Sequence, residues 1–86
     1  MNGPTRVRLL ISGRVQGVGF RYFTQSKARY HRLSGWVRNR PDGKVEAEVQ
    51  GQHSAVEEFV GELWEGPPLG RVRAIDKTDR PAVPGE

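Results

Sequence analysis

Apolar and polar side chains alternate through "RVRLLISGRV", residues 6 to 15, with Val7, Leu9 and Ile11 on one face and Arg6, Arg8 and Ser12 on the other. A period of two is that of a strand, and Leu10 breaks it, so both faces are expected to be partly covered. From Arg21 to Leu33 the period changes. Phe23, Ser26, Tyr30 and Leu33 recur at spacings of three, four and three, with Lys27, Arg29 and Arg32 elsewhere. That is an amphipathic helix whose basic residues form its exposed face. "GWVRN" reads as a short strand, and in "KVEAEVQ" Val45, Ala47 and Val49 alternate with Glu46, Glu48 and Gln50. Pro41 and Gly43 in the intervening "RPDG" predict a type I turn with a glycine bulge, hence an antiparallel hairpin. Glu46 and Glu48 then belong to a solvated face.

Residues 54 to 65, "SAVEEFVGELWE", place Ser54 and Glu57 at capping-box spacing ahead of Val56, Phe59, Val60, Leu63 and Trp64 at helical spacing. "GPP" ends this helix. A last strand, "GRVRAID", occupies residues 70 to 76, and the end of the chain, residues 78 to 86, reads as a mobile tail. The order strand, helix, strand, strand, helix, strand around a central hairpin predicts an α+β fold, the ferredoxin-like split βαβ. Both helices are expected on one face of an antiparallel sheet, in a single domain over residues 1–86 with its ordered core at 6–77. Such a fold serves many functions, so function must come from a site.

Composition narrows the chemistry. The 86 residues contain no cysteine, which excludes disulfides, thiolate metal sites and cysteine nucleophiles. No run approaches the roughly 20 apolar residues of a membrane span, and "MNGPTRVRLL" lacks the apolar core of a secretory signal. A cytoplasmic location is therefore expected. The net charge of +4 suits an anionic partner, whether nucleic acid, an acidic membrane surface or a phosphorylated small molecule, and equally suits a merely solvated basic surface.

The chemistry-bearing stretch is "SGRVQGVGFRYF", residues 12 to 23, which joins the first strand to the first helix. The N-terminus of a helix has backbone N–H groups without intrahelical partners and binds anions. Gly17 and Gly19 allow positive φ, so successive N–H groups can converge on a phosphate. Arg21, at the start of the helix, can fork two phosphate oxygens. A tight corner with a solvent-facing arginine has the same spacing. An arginine opposes the helix dipole there unless an anion supplies the negative charge. The loop lacks the Lys-Ser or Lys-Thr of a P-loop and the third glycine of a dinucleotide loop. Asn39, before the turn, either bonds the local backbone or holds a water by donating and accepting at once. His31 and His53 stand apart and are expected at the surface. No metal-ligand cluster is visible in the sequence.

Taken together, "GRVQGVGFR" at 13 to 21 and "SGWVRNRPDGKVEAEVQG" at 34 to 51 resemble the two signature segments of the acylphosphatase family. The likeness runs from about Arg6 to Asp76. The resemblance implies a ferredoxin-like fold and hydrolysis of a carboxylic-phosphoric anhydride to carboxylate and inorganic phosphate, without metal, cofactor or phosphoenzyme. It assigns phosphate binding to Arg21 and to the backbone N–H groups of Gln16, Gly17, Val18, Gly19 and Phe20, and orientation of the attacking water to Asn39. The implied partners are a small acyl phosphate and inorganic phosphate, with no nucleic acid or membrane, and the protein is expected to be a monomer. One departure is the ending "TDRPAVPGE", where many family members have a further short strand bearing an aromatic residue. An RNA-binding module is the competing reading, because "GVGFRYF" superficially resembles an RNA-recognition motif. That motif needs its aromatics on a central strand, whereas Phe20 and Phe23 lead into a helix and read as core. A third possibility is a regulatory domain that binds phosphate without turnover.

Overall fold

The structure, a computed structural model, describes residues 3–86. Strand β1 (Thr5–Arg14) is followed by helix α1 (Phe20–Tyr30), strands β2 (Ser34–Asn39) and β3 (Val45–Gly51), helix α2 (His53–Leu63) and strand β4 (Arg71–Arg80). The strands form one antiparallel sheet in the order β2-β3-β1-β4, the ferredoxin-like α+β fold.

Alternation along β1 and β3 builds the core. Val7 pairs with Val49, Leu9 with Ala47 and Ile11 with Val45, and all six are buried. Phe20 from α1 and Val56, Phe59 and Leu63 from α2 close over this face. Burying one such aliphatic or aromatic side chain stabilises by roughly 1.5 to 3 kcal/mol, so the face bearing both helices carries most of the folding energy.

Several boundaries differ from the sequence reading. Helix α1 stops at Tyr30 rather than Leu33, because Arg32 turns to φ 58. The Leu33 N–H then donates to the Ala28 carbonyl at 2.8 Å and the Arg32 N–H to that of Arg29 at 3.1 Å. This is a Schellman closure with arginine where glycine is usual. Leu33 still packs on the core, which is why it falls in the helical period.

The capping box expected at Ser54 and Glu57 is not formed. Helix α2 begins one residue earlier, with Gln52 as its N-cap and no side-chain cap, and Glu57 instead accepts from Lys77 Nζ at 3.1 Å. Strand β4 runs four residues past Asp76, to Arg80. Its last residues are exposed and held by backbone pairing, Lys77 opposite Leu9 and Arg80 opposite Arg6. Part of the expected tail is therefore strand. No fifth strand follows among the described residues. Instead the Val83 N–H donates to Gln50 Oε1 at 2.7 Å, and Arg6 Nη1 donates to Glu86 Oε1 at 2.7 Å.

The face of the sheet away from the helices is an ion-pair lattice rather than a solvated surface. Glu46, with a side chain only 7% exposed, accepts from Arg8 at 2.6 Å and from Arg38 at 2.7 Å. Its carboxyl lies below the ordinary glutamate range, chiefly through the hydrogen bond from Arg8. Glu48 pairs with the buried Arg6 at 2.5 Å. His31 likewise departs from its expected surface position. Its ring is 6% exposed and lies 3.0 Å from Glu62, bridging the two helices.

Candidate active site

Two connections of the chain meet at one end of the sheet. The β1–β4 register shifts between Ser12 and Gly13, and β1 then leads through residues 15 to 19 into α1. In that loop Gly17 has φ 75 and Gly19, the N-cap of α1, has φ 81. A Cβ at either position meets nothing within 4 Å. Conformation rather than crowding thus requires glycine here, since a left-handed backbone costs other residues roughly 1 to 2 kcal/mol.

The start of α1 has neither a side-chain cap nor an acidic residue in its first turn. Its exposed N–H groups and positive dipole end are left for another anion. Arg21 sits at this terminus, exposed, and forms no ion pair among the described residues.

The second connection is the β2–β3 hairpin. The Gly43 N–H donates to the Arg40 carbonyl at 3.2 Å and the Arg40 N–H to the Lys44 carbonyl at 2.9 Å, the predicted type I turn with its bulge at Gly43, φ 90. Asn39 ends β2 immediately before this turn. It alternates with Val37, which packs on the core, so both belong to the helix-bearing face.

A cleft of about 270 Å³ lies between the two connections, lined by Val15, Gly17, Gly19, Phe20, Arg21, Tyr22 and Asn39. The structure thus brings together Gly17, Gly19, Phe20, Arg21 and Asn39 from the sequence-predicted set. Gln16 and Val18 lie outside the lining. Val18 packs against the core. The Gln16 side chain turns to the hairpin, where its Nε2 donates to the Arg40 carbonyl at 2.7 Å and to the Lys44 carbonyl at 2.9 Å. That bridge from the glycine loop to the Asn39 hairpin was not foreseen from sequence, because a glutamine beside glycines has no local signature for a partner 24 residues away. Tyr22, 73% exposed at the cleft mouth, was also missed.

A cleft with N–H groups, one unpaired guanidinium and one carboxamide suits a phosphate and a water better than it suits acid–base work. Among the described residues no carboxylate, histidine or cysteine lines it. Phe20 is 1% exposed, its ring tilted against that of the partly buried Phe23 at 5.8 Å, so the Phe20 ring offers no face for nucleic-acid bases.

Comparison with known proteins bears directly on this geometry. The sequence model of the Acylphosphatase family matches residues 7–86. The acylphosphatase of Rubrobacter xylanophilus is 50% identical over 80 residues, covering 93% of this chain and 73% of that protein. The crystal structure of acylphosphatase from Bacillus subtilis superposes with a TM-score of 0.91 at 42% identity, covering 94% of this chain and 90% of that one. Full-length HypF, in its phosphate- and nucleotide-bound form, contains a matching segment with a TM-score of 0.88 at 31% identity, 95% of this chain and 11% of that one. Glycine loop, helix terminus and hairpin asparagine therefore sit in a chain that belongs to the acylphosphatase family, hydrolases of acid anhydrides.

Proposed function

We propose that the cleft between the glycine loop and the β2–β3 hairpin is where this acylphosphatase cleaves its substrate, with Arg21 and the loop N–H groups holding the phosphate and Asn39 holding the water. The observation that carries this reading is the uncapped α1 terminus, with no acid in its first turn, beside an unpaired Arg21 and facing Asn39 in one cleft.

The chemistry asks little of the protein. The water oxygen attacks phosphorus, the bond from phosphorus to the acyl oxygen breaks, and the carboxylate leaves with the electron pair. One water proton passes to a phosphate oxygen, giving dihydrogen phosphate. A carboxylate is already a good leaving group, so positioning and charge stabilisation are sufficient. Arg21 and the amides neutralise the equatorial oxygens, and the Asn39 carboxamide accepts from the water while its N–H group donates elsewhere.

The test is hydrolysis of benzoyl phosphate in EDTA. Turnover by the wild-type protein is expected. Arg21→Ala is expected to lose about 100-fold or more in kcat/KM, by analogy with removal of one preorganised donor. Asn39→Ala is expected to lower kcat with little change in KM. A folded variant with near-normal turnover removes that residue from its role. The same assay run without EDTA shows whether any metal contributes.

A further inference from the structure

The rows of side chains that carry Arg21 and Asn39 continue along α1 and β2 beyond the cleft. Residues 21, 24, 25 and 28 fall within one stripe of α1, and residues 39, 37 and 35 alternate on the same face of β2. A second cavity, about 290 Å³, opens between these rows, lined by Thr24, Gln25, Ala28 and Arg29 of α1 and by Gly35, Trp36 and Val37 of β2, among others. It starts one helical turn beyond Arg21 and one strand repeat beyond Asn39.

The floor of this groove is Ala28, Leu33, Val37 and Val49, all of which belong to or pack against the core. Gly35 lets β2 lie close against β3 at this point, because a Cβ there would run into the Glu48 carbonyl group. Thr24, only 2% exposed, has a hydroxyl with no partner among the described residues, near the end that adjoins the cleft. The lining holds one formal charge, that of Arg29, exposed and in no ion pair among the described residues. Arg29 lies eight residues, about 12 Å of helix rise, from Arg21, and helical side chains generally lean back toward the N-terminus, the end of α1 at which the cleft lies.

We infer that this groove receives the acyl group of the substrate and selects acyl phosphates whose chain is apolar along its length and anionic at its far end, such as the monophosphate of a five-carbon dicarboxylate. The inference rests on the phosphate site proposed above. In it, Arg29 is a specificity residue that touches substrate away from the reacting atoms, and the apolar floor fixes the chain between two cations.

The experiment compares glutaryl phosphate, valeryl phosphate and acetyl phosphate in the wild-type protein, Arg29→Gln and Gln25→Trp. Glutaryl phosphate is expected to be the best substrate by kcat/KM. Arg29→Gln should lower its kcat/KM about fivefold, the scale of one partly exposed charge-assisted contact, and leave the other two unchanged. Gln25→Trp, which fills the groove from an exposed helix position, should reduce glutaryl and valeryl phosphate hydrolysis and spare acetyl phosphate. Equal effects of Arg29→Gln on all three substrates, or none on glutaryl phosphate, would overturn the groove's role while acetyl phosphate turnover keeps the phosphate site intact. Loss of acetyl phosphate turnover in Arg21→Ala but not in the groove variants separates the two sites. A wild-type protein inactive on acetyl phosphate removes both.

Discussion

Arg32 shows how much one residue can conceal. It holds φ 58 so that Ala28 and Arg29 can accept from the two residues that close α1. Nothing in "RYHRLSG" announces a left-handed residue, because the usual sign is glycine or asparagine. The helical period therefore carries straight through to Leu33 in the sequence and overruns the true end. Arg32→Gly should relieve the left-handed penalty and raise stability by about 0.5 to 1 kcal/mol, with activity unchanged. A denaturant melt that shows no gain would mean that the arginine side chain stabilises the turn in some other way. Arg21 is the opposite case. Its misfit with the helix dipole was legible in the sequence, and the structure keeps the misfit, with no acidic neighbour in the first turn to excuse it.

Elements were legible where side-chain periodicity made them and illegible where backbone made them. The hairpin at residues 40 to 43 and the β3 alternation follow directly from Pro41, Gly43 and the valines. The extension of β4 through Lys77, Thr78, Asp79 and Arg80 does not, since four exposed polar residues carry no period and are ordered by pairing with β1. Glu46 and Glu48 were legible as one face but not as a buried lattice, because their arginine partners come from β1 and β2. The site has the same division. Gly17, Gly19, Phe20, Arg21 and Asn39, which line the candidate cleft, could be read from the chain, but Tyr22 and the Gln16 bridge that sets loop against hairpin could not. Gln16→Ala frees the glycine loop from the turn that carries Asn39, so kcat/KM should fall about tenfold, consistent with the sensitivity of catalysis to placement. Its melting temperature should move little, as the Lys44 carbonyl retains the Arg40 N–H. A stability loss that parallels the activity loss would instead mark Gln16 as a structural pin only.

Across the whole molecule, the two faces of the sheet are stabilised by different forces. One is apolar and covered by helices; the other is held by carboxylates among arginines. Glu46, Glu57 and Glu86 all lie below the ordinary glutamate value of 4.5, each first through a hydrogen bond from a basic side chain, Arg8, Lys77 and Arg6 respectively. Because folding lowers these values, their contribution is complete above 4.5 and is lost as pH falls through the folded-state values. The melting temperature should thus be level from neutrality down to about pH 5 and drop more steeply in acid. Glu46→Gln should lower the neutral plateau by an amount on the order of 2 kcal/mol and flatten the acid limb. An unchanged acid limb would show that the buried carboxylate does not govern it.

The position of β1 also has a consequence for how the protein is made. Of the four strands described this is the first in the chain, yet it lies inside the sheet, with β3 on one side and β4, the last of the four, on the other. Its neighbour at Arg6 is Arg80. During synthesis one backbone edge of β1 must therefore wait for β3, and the other for β4, which pairs with it only through residues 71 to 80. The long sequence separation makes closure slow, and an apolar strand left open in this way is exposed to pairing with other nascent chains. Arg6 and Arg8, set on either side of Val7, keep like-charged copies of that strand apart until its own partners arrive.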